Sequence, residues 1–510
     1  MTNVGSAVSA VWSWILDNLV FLNLVLTIGI IFFQRRDPKS VWTWLLAIYF
    51  IPVFGVVFYL LFGQNLKKSR MFRVKGVEDR LNFPIRHQEQ LLKQSGEYEA
   101  GQGEAIARDY ASLILYNLET SGSVLTANRQ VRIFTDGQAK FEDLRREIRR
   151  ARRFIHIQYY IIKKDELFDS IVPILIEKVR EGVEVRILYD GMGGRFMPKG
   201  RWEQLRAAGV KVGAFFPPFL GWLNLRVNYR NHRKIVVIDG NIGFVGGFNI
   251  GREYISKDPK FGYWRDTHLK ITGEAAIGLQ IRFALDWNYA TRENLFQELR
   301  YFGDEAKEAR ERLDGVQKNL WPGAEAEEEI HIQIVASGPD TREPHIRNNY
   351  LELFHKARHH IYIQTPYFIP DDAILSALKI AAQSGVDVRL MIPCKPDHPF
   401  VYWATCSYAG ELLDYGVRCY IYENGFLHSK GVMADGLVSC YGTANMDIRS
   451  FELNFEVNAT IYDSEVTGRL EQAFLDDLPH CREMTREGYA GRSLWMRIKE
   501  QCSRLLSPLL

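Results

Sequence analysis

Three apolar stretches of this chain recur, in the same order, about 200 residues further on. "ARRFIHIQYYII" (151–162) returns as "ARHHIYIQTPYFI" (357–369), "GVEVRILYD" (182–190) as "GVDVRLMIP" (385–393), and "GVKVGAFF" (209–216) as "GVRCYIYE" (416–423), at offsets of 206, 203 and 207 residues. A period this long marks a duplicated domain, because solenoid units run to about 20–50 residues. Each copy alternates β-rich apolar runs with helical stretches. The expectation is an α/β sandwich with a mixed sheet in each half, the two halves related by a pseudo-two-fold axis.

The repeat ends in a rarer pattern. "NHRKIVVIDGNIGFVGGFN" (231–249) and "LHSKGVMADGLVSCYGTAN" (427–445) both place His, Lys, Asp-Gly and Asn at the same intervals: His232, Lys234, Asp239 and Asn249, then His428, Lys430, Asp435 and Asn445. Composition predicts about 0.2 chance occurrences of the His, base and acid spacing, so two inside a larger repeat belong to the duplication. On a strand, His and Lys two residues apart share a face. Each pair therefore sets a nucleophile or proton carrier beside a fixed positive charge. Asp239-Gly240 and Asp435-Gly436 are hairpin-turn signals, and a turn-forming role for the aspartates competes with a direct chemical one. Gly246, Gly247 and Gly442 are expected to let the backbone come close to a ligand.

Two such pairs meeting across the axis suit an anionic phosphodiester. One imidazole attacks phosphorus and the other protonates the leaving alcohol. The lysines and the amides of Asn249 and Asn445 stabilise charge on the non-bridging oxygens. Zinc on the two histidines is the rival, and the adjacent lysines argue against it, so neither a metal nor a cofactor is expected. Each imidazole needs an orienting partner on its other nitrogen. Asp266 in "YWRDTHLKI" and Glu456 in "LNFEVNATI" are the candidates.

The N-terminus has a separate character. Residues 11–33 and 41–63 are apolar runs of membrane-spanning length with tryptophans near their ends. Residues 1–10 carry no Lys or Arg, which argues against a signal peptide. Three basic residues lie between the runs and five soon after the second, a bias that puts the main body in the cytoplasm. The expected organisation is a transmembrane hairpin over 1–66, a juxtamembrane connector over 67–115, a first domain over 116–293, a charged connector over 294–328 and a second domain over 329–510. Aromatic stretches at 215–227 and 398–410 are candidates for contact with lipid. The net charge of +3, from 64 basic and 61 acidic residues, gives no support for nucleic-acid binding.

Two H-x-K-x4-D motifs resemble the signature of the phospholipase D superfamily. The leader "RDPKSVWTWLLAIYFIPVFGVVFYLLFG", the stretches "NHRKIVVIDGNIGFVGGFNIGREY" and "GTANMDIRSFELNFEVNATIYD", and the closing "LLSPLL" are similar to the bacterial cardiolipin synthases within it. The resemblance implies two tandem phospholipase D-like domains in a multi-pass protein of the bacterial plasma membrane, with the catalytic domains facing the cytoplasm. It also implies a phosphatidyltransferase converting two phosphatidylglycerols into cardiolipin and glycerol through a phosphatidyl-histidine, with catalytic His232, Lys234, Asp239, His428, Lys430 and Asp435. The expected partners are phosphatidylglycerol, other anionic phospholipids and the bilayer. A phospholipase D-type hydrolase and an inactive membrane scaffold are the alternatives, and the sequence leaves the oligomeric state unread.

Overall fold

The computed structural model describes residues 13–14, 18–33, 38–51, 55, 59, 102–195, 197–217, 228–302, 329–341 and 343–507. The first half contributes strands β1 (Leu125–Phe134), β2 (Phe154–Tyr159), β3 (Glu184–Asp190), β4 (Lys211–Phe215), β5 (Arg230–Asn231), β6 (Ile235–Ile238), β7 (Ile242–Gly246), β8 (Trp264–Arg265) and β9 (His268–Gly273). The second contributes β10 (Ile330–Ser337), β11 (His360–Gln364), β12 (Phe368–Ile369), β13 (Asp387–Pro393), β14 (Arg418–Tyr422), β15 (Phe426–Leu427), β16 (Gly431–Ala434), β17 (Val438–Gly442), β18 (Met446–Asp447), β19 (Asn454–Tyr462) and β20 (Cys481–Met484).

The duplication is written into the strand order. From the centre outward the first half runs β1-β9-β7-β6-β2-β3-β4 and the second runs β10-β19-β17-β16-β11-β13-β14, with β20 added at the far edge. β1 and β10 join the halves in antiparallel register, Leu125 opposite Gln333 and Asn128 opposite Ile330. In each half three strands are parallel (β2, β3, β4 and β11, β13, β14) and the motif hairpin runs antiparallel, which is the expected mixed sheet. Helices cover the parallel strands, so "FIHIQY" of β2 is buried along its whole length rather than alternating. Matched aspartates start the matched helices: Asp165 accepts from the amides of Leu167 and Phe168, and Asp371 from that of Ile374.

The interior falls into three apolar clusters. One lies under the outer helices of the first half, around Ile157, Ile171, Val172 and Phe244. Its counterpart in the second half gathers around Leu353, Ile363 and Leu390. The third lies between the halves and is filled by the helices Ala275–Thr291 and Ser464–Asp477, through Leu279, Phe283, Leu470 and Phe474, against residues from both halves of the sheet.

The helix Ala111–Ser121 crosses the boundary expected at 115/116 and belongs to the core of the second half, where Leu113 and Ile114 are buried. Its Asn117 donates to Gln333 Oε1 (3.1 Å) and Asn349 Oδ1 (2.8 Å), and Tyr462 also donates to Gln333 (2.7 Å). Toward the N-terminus, helices Leu19–Phe33 and Pro38–Phe50 touch through Ile30, Trp44 and Ile48, while Phe21, Leu24, Ile28, Trp42 and Phe50 are exposed. Among the described residues no helix is long and apolar enough to cross a membrane. The expected spans 11–33 and 41–63 lie partly outside the described residues, as do 218–227 of the first aromatic stretch and 303–328 of the connector.

The two motif aspartates sit in left-handed turns, Asp239 at φ 53° and Asp435 at φ 56°. Each carboxylate accepts three backbone amides at the start of the neighbouring strand: Arg152, Arg153 and Phe154 for Asp239 (2.7–3.0 Å), and Arg358, His359 and His360 for Asp435 (2.7–2.8 Å). Replacing Asp435 with Ala leaves those donors unpaired and puts a Cβ residue without a local acceptor in the left-handed region. The expected loss is about 2–4 kcal/mol of stability, read as a lowered denaturation midpoint. An unchanged midpoint would refute the turn-holding role.

Candidate active site

The chain before β6 alternates. Asn231 and Arg233 turn to one side and donate to Asp286 (2.8 and 2.6 Å). His232 and Lys234 take the other side, as the two-residue period of an extended chain requires. His428 and Lys430 repeat this before β16. Both lysines donate back to the carbonyl of their own histidine, Lys234 at 2.6 Å.

The halves exchange strands here. β5 pairs in parallel with β19, and β15 with β8. The amide of His232 donates to Phe455 O (3.0 Å) and that of His428 to Arg265 O (2.7 Å). The orienting carboxylates cross in the same way. Glu456, from the second half, lies 2.8 Å from Nδ1 of His232, and Asp266, from the first, lies 2.6 Å from Nδ1 of His428. Each carboxylate is itself held. Glu456 accepts from Thr443 Oγ1 (2.6 Å) and Asn454 Nδ2 (3.2 Å), and Asp266 from the amide of Thr267 (2.7 Å). With Nδ1 on a carboxylate, each imidazole keeps Nε2 for chemistry.

Burial sets the electrostatics. It pushes the Lys234 ammonium down to about 7 and that of Lys430 to about 8, against the pull of Glu456 and Asp266 respectively. Burial, followed by the Lys430 charge, lowers His428 to about 4, and burial lowers His232 against the opposing pull of Glu456. For Asp266 and Glu456 burial acts upward, but Lys430 and His428 on one and His232 and Lys234 on the other bring both below the usual carboxylate range.

The duplicated domain is matched by known proteins. The family model described as "Cardiolipin synthase, PLD-like domain" matches twice, at 144–259 and 350–478, and the model described as "Phospholipase_D-nuclease N-terminal" matches 21–64. The chain is 47% identical over 492 residues to a cardiolipin synthase of Staphylococcus aureus (strain Mu50 / ATCC 700699), covering 96% of this chain and 95% of that one. It is 47% identical over 503 residues to the major cardiolipin synthase of Bacillus subtilis (strain 168), covering 98% and 99%. The chain belongs to the cardiolipin synthase family of the phospholipase D superfamily. A solved phosphatidylserine synthase of Haemophilus influenzae Rd KW20 has the same fold, with a TM-score of 0.57 at 16% identity, covering 80% of this chain and 100% of that one.

Within this family member the expected site residues separate into groups. His232, Lys234, His428, Lys430, Asp266 and Glu456 form the two crossed sets described above. Asp239 and Asp435 stand at the far ends of β6 and β16, engaged with backbone amides. Asn249 is committed to the protein, accepting from the amide of Ile161 (3.0 Å) and donating to Tyr254 (3.0 Å), whereas Asn445 is buried with Oδ1 unpartnered. The glycines serve neighbouring strands rather than a ligand: a Cβ at Gly246 would strike His268, one at Gly247 the Asp266 carboxylate, and one at Gly442 Asn458. Sequence reasoning missed Tyr160, whose ring centroid lies 5.0 Å from that of His232, and the Thr443 and Asn454 supports of Glu456. Only the closeness of Thr443 and Asn454 to Asn445 and Glu456 hinted at the last two.

Crossed pairing predicts crossed perturbation. Asp266→Asn should change the NMR titration of His428 and leave that of His232 in place, and Glu456→Gln should do the reverse. Perturbation confined to the histidine of the same half would refute the exchange. The lowered lysines set a pH dependence for binding. They are protonated below about 7 and lose their charge as pH rises through 7–8, so affinity for a phosphodiester should fall over that window and binding at pH 8 should take up protons. Calorimetry with glycerophosphoglycerol in buffers of different ionisation enthalpy measures both. An affinity that stays flat or rises from pH 6 to 9 would refute the argument.

Proposed function

We propose that the chain joins two phosphatidylglycerols into cardiolipin and glycerol by double displacement at this centre. The observation that carries the mechanism is the pair of imidazoles, each with Nδ1 on a carboxylate of the opposite half and each beside a buried lysine. His232 Nε2 attacks phosphorus and the bond to the glycerol oxygen breaks. His428 gives its proton to that oxygen, then takes one from the terminal hydroxyl of the second phosphatidylglycerol, whose oxygen displaces His232. His232 takes the covalent role on the strength of the superfamily resemblance. Lys234, Lys430 and the amide of Asn445 stabilise charge on the non-bridging oxygens. Asp266 and Glu456 are positioning residues, and Asp239 and Asp435 hold the turns.

The paired N-terminal helices, with their exposed apolar faces, support the reading of 1–66 as a hairpin that holds the body to the membrane. The basic residues at 67–75 support a cytoplasmic body.

Purified protein given labelled phosphatidylglycerol alone should release cardiolipin and glycerol in equal amounts. Acid quenching of His428→Ala with an activated phosphatidyl ester should trap an adduct on His232. Phosphatidic acid as the sole lipid product would make the protein a hydrolase, and an adduct on His428 would exchange the two roles.

A further inference from the structure

The pseudo-two-fold symmetry of the catalytic groups fails at two neighbouring positions. Two residues before His232 stands Arg230; two before His428 stands Phe426, buried against Trp264 and Phe261. Four residues after Asn445 stands Arg449; four after Asn249 stands Glu253, which pairs with Lys163 at 2.5 Å. One side of the site therefore carries two extra guanidinium groups where the other carries a phenyl ring and a carboxylate already neutralised.

Both arginines lie on or against the segment that leads into His232. Arg230 shares a face with His232 and Lys234, because Asn231 and Arg233 between them turn to Asp286. Arg449 reaches the same segment and donates to Asn228 Oδ1 (3.1 Å) and Asn228 O (2.9 Å). Arg230 donates to Tyr229 O (3.0 Å). Elsewhere in the fold, buried arginines meet carboxylates: Arg233 with Asp286 (2.6 Å) and Arg265 with Asp477 (2.8 Å). Among the described residues neither Arg230 nor Arg449 has an acidic partner within ion-pair distance, although both are half-buried. Asp447, the acid nearest to Arg449 in sequence, is turned onto the amide of Ser450 (2.6 Å), and Asp190, whose field reaches Arg230, is turned onto the amides of Met192, Gly193 and Asn231 (2.8–3.1 Å). The two charges also feel each other. Burial and then Arg230 lower the Arg449 pKa, and both arginines draw down the Tyr160 hydroxyl against its burial.

Two half-buried, converging guanidinium groups with no carboxylate against them suit an incoming anion. A reaction that condenses two phosphodiesters needs such a place, because only one phosphate sits between the imidazoles while the other must be held a glycerol's length away. Arg230 lies one two-residue step from His232, about 7 Å along an extended chain. We propose that Arg230 and Arg449 bind the phosphate of the phosphatidylglycerol that is not undergoing displacement. This rests on the phosphatidyl-transfer reading above.

The test compares two acceptors for the same phosphatidyl group. Phosphatidylglycerol brings a second phosphate, and free glycerol brings none but returns labelled phosphatidylglycerol. In Arg230→Gln, Arg449→Gln and the double variant, the ratio of cardiolipin formation to labelled-glycerol exchange should fall at least tenfold, with Arg449→Lys recovering part of it. A ratio equal to that of the unsubstituted protein, whether both rates fall together or neither falls, would overturn the proposal and leave the arginines with a structural role. If the unsubstituted protein performs neither reaction, the phosphatidyl-transfer reading itself fails, which is a separate outcome.

Discussion

Each motif imidazole is held by a carboxylate from the other half of the chain, and the rest of the architecture serves that exchange. Glu456 can reach His232 only because β19 runs beside β5, and Asp266 can reach His428 only because β8 runs beside β15. The antiparallel joint of β1 and β10 and the shared central cluster fix the halves so that both crossings occur together. Neither half holds a complete site. Duplication has thus become an obligate partnership, in which the two-residue and hairpin geometry of each motif places the histidine and its mate places the proton.

The charge balance of this centre has a consequence for its chemistry. Two buried lysines face two buried carboxylates, so the protein groups alone tend to neutrality with both imidazoles unprotonated. That is the correct state for a nucleophile and the wrong state for a general acid. An arriving phosphodiester adds one negative charge among groups whose pKa values burial has lowered, and it draws a proton in with it. That proton goes first to the lysines, and in the proposed mechanism the added negative charge then raises one imidazole toward the protonated state it needs as an acid. Before the anion arrives, the same burial keeps both rings neutral and the site unarmed.

The duplication, the mixed sheet, the shared face of each His-Lys pair and the Asp-Gly turns were legible because they depend on local period and spacing, whereas a direct chemical part for Asp239 and Asp435 was expected and their carboxylates instead hold backbone amides. Asp266 and Glu456 were legible as carboxylates on the following strands, but not as crossed partners, because strand exchange depends on pairings between residues more than 160 positions apart. The glycines were misread for a related reason. Gly247 looks like room for a ligand until the Asp266 carboxylate is seen to occupy that room. The helix Ala111–Ser121 is split in the sequence reading between the connector ending at 115 and the first domain starting at 116, and only the buried contacts of Leu113, Ile114 and Asn117 put it against the second half.

A symmetric scaffold suits the proposed condensation of two identical lipids, yet that reaction would have a direction, with one phosphate attacked while the other waits. Chemistry of that kind requires the symmetry to be broken near the axis and kept elsewhere. The departures observed are of that kind. His, Lys and the orienting carboxylates are matched, while Arg230 stands where the other half has Phe426, Arg449 where it has Glu253, and Asn445 keeps an unpartnered Oδ1 where Asn249 is bound at both ends. The two arginines, without an acidic partner among the described residues, and Asn445 thus stand around the end of the second motif and the segment leading into His232. Strand order is the same in both halves despite these changes. The fold thus keeps its two-fold form while the site acquires a direction.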